Sequence, residues 1–267
     1  MQTRSPFFIF LPMLFLMFAN ALCALLSTIL TGSASSPSLL EEPLALVFSY
    51  VYALLALLLF FVFYRKNNFG KVQITCAKST LPTPFTSELS PVLRIALLLL
   101  SSLACYCFVS GLLRLLGLAF GGVFSDYSAE MTSLVTAYGA PIWIYSIVLS
   151  PLAEEYCFRG LTLPLAAERF GVAWAVVLQA FLFAIIHSSL PQIIYAFLLG
   201  LVIGLIYVHF GNVFYGYLFH IFFNFLNLPN LLLQDYVSSP FVWGVLLVSV
   251  GLLLGVVLRI LFRRIRR

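Results

Sequence analysis

Residues 6–30, 44–64 and 191–208 contain no Asp, Glu, Lys or Arg. A helix needs about 20 such residues to cross a hydrocarbon core about 30 Å thick. A soluble fold would have to bury every one of these runs under polar groups that the chain lacks. It is 63% hydrophobic and 9% charged over 267 residues, against about 25% charged in an ordinary soluble domain. The alternating strands of a membrane barrel are missing. The expected fold class is therefore all-α: a polytopic membrane helix bundle of about eight transmembrane helices, forming a single integral membrane domain over residues 1–267.

The apolar runs place the eight helices near residues 6–30, 44–64, 95–113, 141–167, 172–187, 191–208, 213–233 and 241–262. Arg4 followed by an apolar stretch and the small residues Ala19 and Ala21 also resembles a signal peptide. The run continues to Leu30, however, longer than a typical signal core, and an uncleaved helix is expected. Basic residues orient the bundle by the positive-inside rule. With the N-terminus inside, the inner side holds Arg4, Arg65, Lys66, Lys71, Lys78, Arg94, Arg169 and the Arg259–Arg267 cluster, whereas the outer side holds Arg114 with Glu41, Glu42, Asp126, Glu130 and Asp235. Both termini are thus expected on the cytoplasmic side. The net charge of +5 gathers at helix ends, where it anchors the protein against anionic lipid rather than binding nucleic acid. The five cysteines show no paired spacing and read as free thiols. The stretch 65–94 reads as a cytoplasmic loop and 31–42 as an exposed turn. Gly200 and Gly204 have the spacing of close helix packing.

One expected span breaks the pattern. The fourth contains Ser150-Pro-Leu-Ala-Glu154-Glu155-Tyr-Cys-Phe-Arg159-Gly160. A charge at mid-bilayer costs a few kcal/mol even on lenient scales. Glu155 and Arg159 are spaced i,i+4 and can pair on one helix face. Glu154, turned about 100° away, is left for other work. Of the three histidines, His187 closes an apolar run, His220 lies inside the seventh span with Asn224 one turn later, and His209 falls at a short turn. In an antiparallel hairpin turning near Gly171, Glu154 and His187 lie at equal height, about 25 Å from the turn. That register requires the fourth helix to pass Gly160 and Pro164, where a kink is expected. On straight helices His220 sits lower, about 12 Å from its own turn.

A carboxylate, two imidazoles and an amide in a low-dielectric pocket suit two chemistries. Glu154 can act as general base on water while His187, His220 and Asn224 orient it and stabilise an oxyanion. Alternatively, Glu154, His187 and His220 can hold zinc or another divalent metal with an open position for water. No His-Glu-x-x-His is present.

The three motifs Glu154-Glu155-x-x-x-Arg159, Phe183-x-x-x-His187 and His220-x-x-x-Asn224 resemble, in order and spacing, those of the CAAX prenyl endopeptidase and bacteriocin-processing (Abi) family, over about residues 149–226. The resemblance implies an eight-helix membrane bundle with its catalytic core helices within 140–227, and endoproteolysis near the C-terminus of a membrane-associated or peptide substrate. It implies Glu154 as base, His187 positioning water, His220 and Asn224 as the oxyanion site, and Glu155 and Arg159 in support. It leaves metal and metal-free routes open, and it implies a bacterial plasma membrane. The rival readings are a non-catalytic membrane partner such as a bacteriocin immunity protein, and a proton-coupled transporter. The latter would normally show an inverted repeat, and none is visible.

Overall fold

The structure is a computed structural model that describes residues 6–31, 41–66, 90–187, 189–226, 244, 247–248 and 250–255. The described residues form helices and no strand. After a 3-10 turn at Pro6–Ile9 come α1 (Leu11–Thr31), α2 (Glu41–Lys66) and α3 (Pro91–Tyr138). A continuous helical run, α4, covers residues 140–170. It is followed by α5 (Val172–Ile185), α6 (Leu190–Phe210) and α7 (Val213–Phe225). Residues 244, 247–248 and 250–255 are also helical, and Gly251 lies against the Phe108 ring of α3.

The α3 segment Pro91–Val123 and α6 are long and apolar enough to cross a membrane. Their most apolar windows are only 33% and 39% buried, unlike the core helix of a soluble protein. Leu, Phe, Ile and Val side chains on every helix from α1 to α7 face outward. An exposed apolar surface of this extent needs lipid or a partner to cover it.

α3 is longer than the sequence suggested. The helical stretch from Pro91 passes Leu113 and reaches Phe120, whose non-helical backbone (φ −126°, ψ 30°) kinks it into a second helical stretch that starts at Gly121-Gly122 and reaches Tyr138. The end of the expected seventh span (227–233), most of the eighth, the 65–94 loop, the 31–42 turn and Cys76 lie mainly or wholly outside the described residues.

α4 carries the chemistry, and its geometry is unusual. Ala140–Ile144, Ser150–Glu155 and Leu163–Phe170 are α-helical, whereas Tyr145–Leu149 and Tyr156–Thr162 widen into π-helix. Each π stretch ends one residue before the residue preceding a proline: Ser150-Pro151 and Leu163-Pro164. A proline within a helix removes an amide donor and crowds the carbonyl four residues back. Widening by one residue accommodates both effects, so the kink expected near Gly160 and Pro164 takes the form of a wide turn, and the helix continues.

Gly171 (φ 79°) turns α4 into α5, and Gly211 (φ 66°) turns α6 into α7. At the second turn the Asn212 side chain accepts the Phe214 amide at 2.9 Å and caps α7. His209 lies in the last turn of α6, half-buried against Phe210, and not in a solvated turn. α5 and α6 pack closely because Gly200 and Gly204 lack side chains. A Cβ on Gly200 would stand 3.0 Å from the Ala180 Cα, and one on Gly204 would meet Gln179 Nε2. The core joins Ile9, Met13 and Leu16 from the N-terminal segment with Ala53, Ala56 and Phe60 of α2, and with Phe158, Leu161, Phe183, Ile203, Phe219 and Phe223 around α4 to α7.

Candidate active site

The polar centre lies where the middle of α4 meets α7. Glu155 and Arg159 are fully buried and pair one turn apart, Arg159 Nη1 donating to Glu155 Oε1 at 2.9 Å. The i,i+4 spacing therefore forms the expected bridge. The same Oε1 accepts from His220 Nδ1 at 2.9 Å. A carboxylate bonded to one ring nitrogen orients an imidazole and leaves the other nitrogen to act. His220 Nε2 faces Glu154 Oε2 at 3.8 Å. That is too long for a hydrogen bond, and it lets one water touch both atoms. The Glu154 side chain retains 15% of its exposure, so it borders an opening while Glu155 does not. Ser150, one turn earlier, donates to Glu154 Oε1 at 2.5 Å and fixes that carboxylate from the other side.

α7 can approach this closely because its facing stripe begins with a glycine. Gly216, His220 and Asn224 recur every four residues along one face. A Cβ on Gly216 would fall 3.0 Å from Glu155 Oε2 and 2.8 Å from Ile203 Cγ2. Asn224 Nδ2 donates to the Ser146 carbonyl of α4 at 2.9 Å, and Tyr217 donates its hydroxyl to the Val148 carbonyl at 3.1 Å. Ser102 of α3 holds α7 from behind through the Phe219 carbonyl at 3.0 Å.

The Phe183 ring joins the remaining groups. The Arg159 guanidinium carbon lies 4.7 Å from its centroid, a cation–π arrangement. Its ring meets those of His187 and His220 near perpendicular, at 5.1 and 5.9 Å between centroids. His187 follows the end of α5, its Nδ1 2.9 Å from the Phe183 carbonyl and its ring beside Tyr195. His187 and His220 thus flank one aromatic ring.

His220 does not sit low, as straight helices would place it. It is the histidine in contact with both glutamates, because α7 packs against the middle of α4 rather than level with its end. Ser146, Ser150, Gly216 and Tyr217 were not singled out from sequence. Gly216 alone carried a signal, as a glycine one turn before His220 in an otherwise bulky helix. Gln179 is a further buried polar group, donating to the Gly200 carbonyl at 2.8 Å between α5 and α6.

Residues 136–226 match the family model described as type II CAAX prenyl endopeptidase, Rce1-like. The match spans about a third of the chain. The Rce1-like segment reaches from the end of α3 through α7 and contains all six charged or polar motif residues. No curated protein and no solved structure matches the chain.

Among the described residues no three His, Cys, Asp or Glu side chains gather closely enough to hold a metal. His220 Nδ1 bonds to Glu155 and His187 Nδ1 lies at a backbone carbonyl, so ligation by either ring would fall to Nε2.

Proposed function

We propose that the protein is an intramembrane endopeptidase that hydrolyses a peptide bond near the C-terminus of a membrane-associated or peptide substrate, with Glu154 as general base. The observation that carries this reading is the pair of glutamates in unlike settings on one helix. Glu155 is buried and shared by Arg159 and His220, whereas Glu154 is partly open and faces His220 across 3.8 Å. Environments that differ this much give adjacent carboxylates different tasks.

A water between Glu154 Oε2 and His220 Nε2 gives its proton to Glu154 as it attacks the scissile carbonyl. The oxyanion is stabilised at the Nε2 edge of His220 and by the amide of Asn224. Glu154 returns its proton to the departing amine. His187, across the Phe183 ring, orients water or the substrate carbonyl. Residues 140–227 act as the catalytic core of a single membrane domain. The eight-span count, cytoplasmic termini and a bacterial plasma membrane complete the reading, with the bilayer as the protein's standing partner and no nucleic acid involved.

The test is cleavage of a C-terminal peptide library by purified protein in detergent, beside Glu154→Gln and with protein-bound metal measured. Cleavage by the wild type alone supports the reading. Equal cleavage by both proteins removes Glu154 from the mechanism. Stoichiometric zinc, with activity lost on chelation and restored on readdition, replaces the metal-free route.

A further inference from the structure

We propose that Pro151 is a positioning residue: by opening the π turn at Tyr145–Leu149 it leaves the Ser146 carbonyl without a backbone donor, and this carbonyl fixes the side-chain amide of Asn224.

Ordinary α-helical bonding would satisfy the Ser146 carbonyl from the amide of Ser150. In this structure the Ser150 amide bonds to the Tyr145 carbonyl, five residues back. The next residue in π register is Pro151, which has no amide hydrogen. The Ser146 carbonyl is thus bypassed in both registers. A half-buried carbonyl shielded from water and without a partner is costly, and Asn224 Nδ2 meets it at 2.9 Å. One heptad earlier on α7, Tyr217 bonds to the Val148 carbonyl in the same wide turn. Two side chains of α7 therefore read the backbone of one π stretch.

The contact settles which way the amide points. With one Nδ2 hydrogen on the Ser146 carbonyl, Oδ1 is directed away from it, and the second Nδ2 hydrogen projects at a fixed angle. A terminal amide otherwise turns readily and can present either its oxygen or its nitrogen. An oxyanion requires the N–H and is repelled by the oxygen. Pro151 thereby acts on the chemistry through Asn224, touching neither substrate nor water. This last step rests on the peptidase reading; the hydrogen-bond relation does not.

Replacing Pro151 by Ala restores a backbone donor and favours ordinary helix, so the variant is expected to fold at least as stably as the wild type. In full-length protein labelled with 15N-asparagine in detergent micelles, the Asn224 side-chain signal is assigned by its loss in Asn224→Ala. Pro151→Ala is expected to shift this signal and to speed exchange of its bonded hydrogen by about tenfold, the scale of one hydrogen bond. An unchanged signal and exchange rate overturn the proposal. Should Pro151→Ala not fold, the carbonyl 13C signal of Ser146 must move in Asn224→Ala, and its failure to move is equally fatal. On a cleaved library peptide, Pro151→Ala is expected to lower kcat by about tenfold with KM held within about twofold. The double variant with Asn224→Ala should be no slower than Asn224→Ala alone, and additive losses refute action through Asn224. If Glu154→Gln cleaves normally, the peptidase reading falls while the two spectroscopic arms still decide the hydrogen-bond relation.

Discussion

At the scale of single residues, the buried ion pair makes the sharpest demand on stability. Glu155 lies fully buried with one oxygen shared by Arg159 and His220, and its Oε2 has no hydrogen-bond partner among the described residues. Arg159→Ala would leave that carboxylate uncompensated, a loss of about 3–5 kcal/mol for a buried pair. Unfolding of the purified variant in detergent is expected to show it, together with loss of activity. An unfolding midpoint equal to that of the wild type would show that Glu155 finds another partner or a proton. This pair was legible in the sequence, since an acid and a base spaced i,i+4 in an apolar run can pair on one helix face. Ser150 and Ser146 were not. A helical serine is ordinary, and what Ser146 contributes is a carbonyl that no residue name reveals.

At the scale of elements, α7 depends on the bare backbone at Gly216. Gly216→Val would drive a branched side chain against Ile203 and the Glu155 carboxylate. Overpacking of this kind costs about 1–3 kcal/mol, and here it also pushes His220 from Glu155. The variant is expected to lose both stability and turnover, whereas Gly255→Ala, which meets nothing within 4 Å, should change neither. Normal turnover in Gly216→Val would show that α7 does not sit against Glu155 as described. The apolar runs located α1, α2, α5 and α6 because burial in lipid tolerates little else. They could not locate the end of α3, since a helix that kinks at Phe120 resumes at Gly121-Gly122, residues that read as a boundary. Nor could helix counting place His220. Its height follows from where α7 crosses α4, and crossing points depend on side-chain relief such as that at Gly216 and Ile203.

At the scale of the whole molecule, composition argues against a water-soluble fold, and the outward-facing apolar side chains of α1 to α7 agree with it. The charge asymmetry predicts sidedness. In right-side-out membrane vesicles of a cysteine-free variant, Ser35→Cys is expected to react with an impermeant thiol reagent and Lys71→Cys only after the membrane is opened. The reverse pattern would invert the bundle. The family resemblance was legible in three short motifs that the fold brings toward one ring, Phe183, from α4, α5 and α7. The substrate was not, because the residues that select it need no fixed spacing.

The most direct test of the central claim is the turnover number and unfolding midpoint of Glu154→Gln, measured on the same preparation as the wild type. The exchange removes a base while changing little volume. Turnover is expected to fall by about a thousandfold, within the range for loss of a general base, with the midpoint unchanged. Full proteolysis by the folded variant would contradict the account.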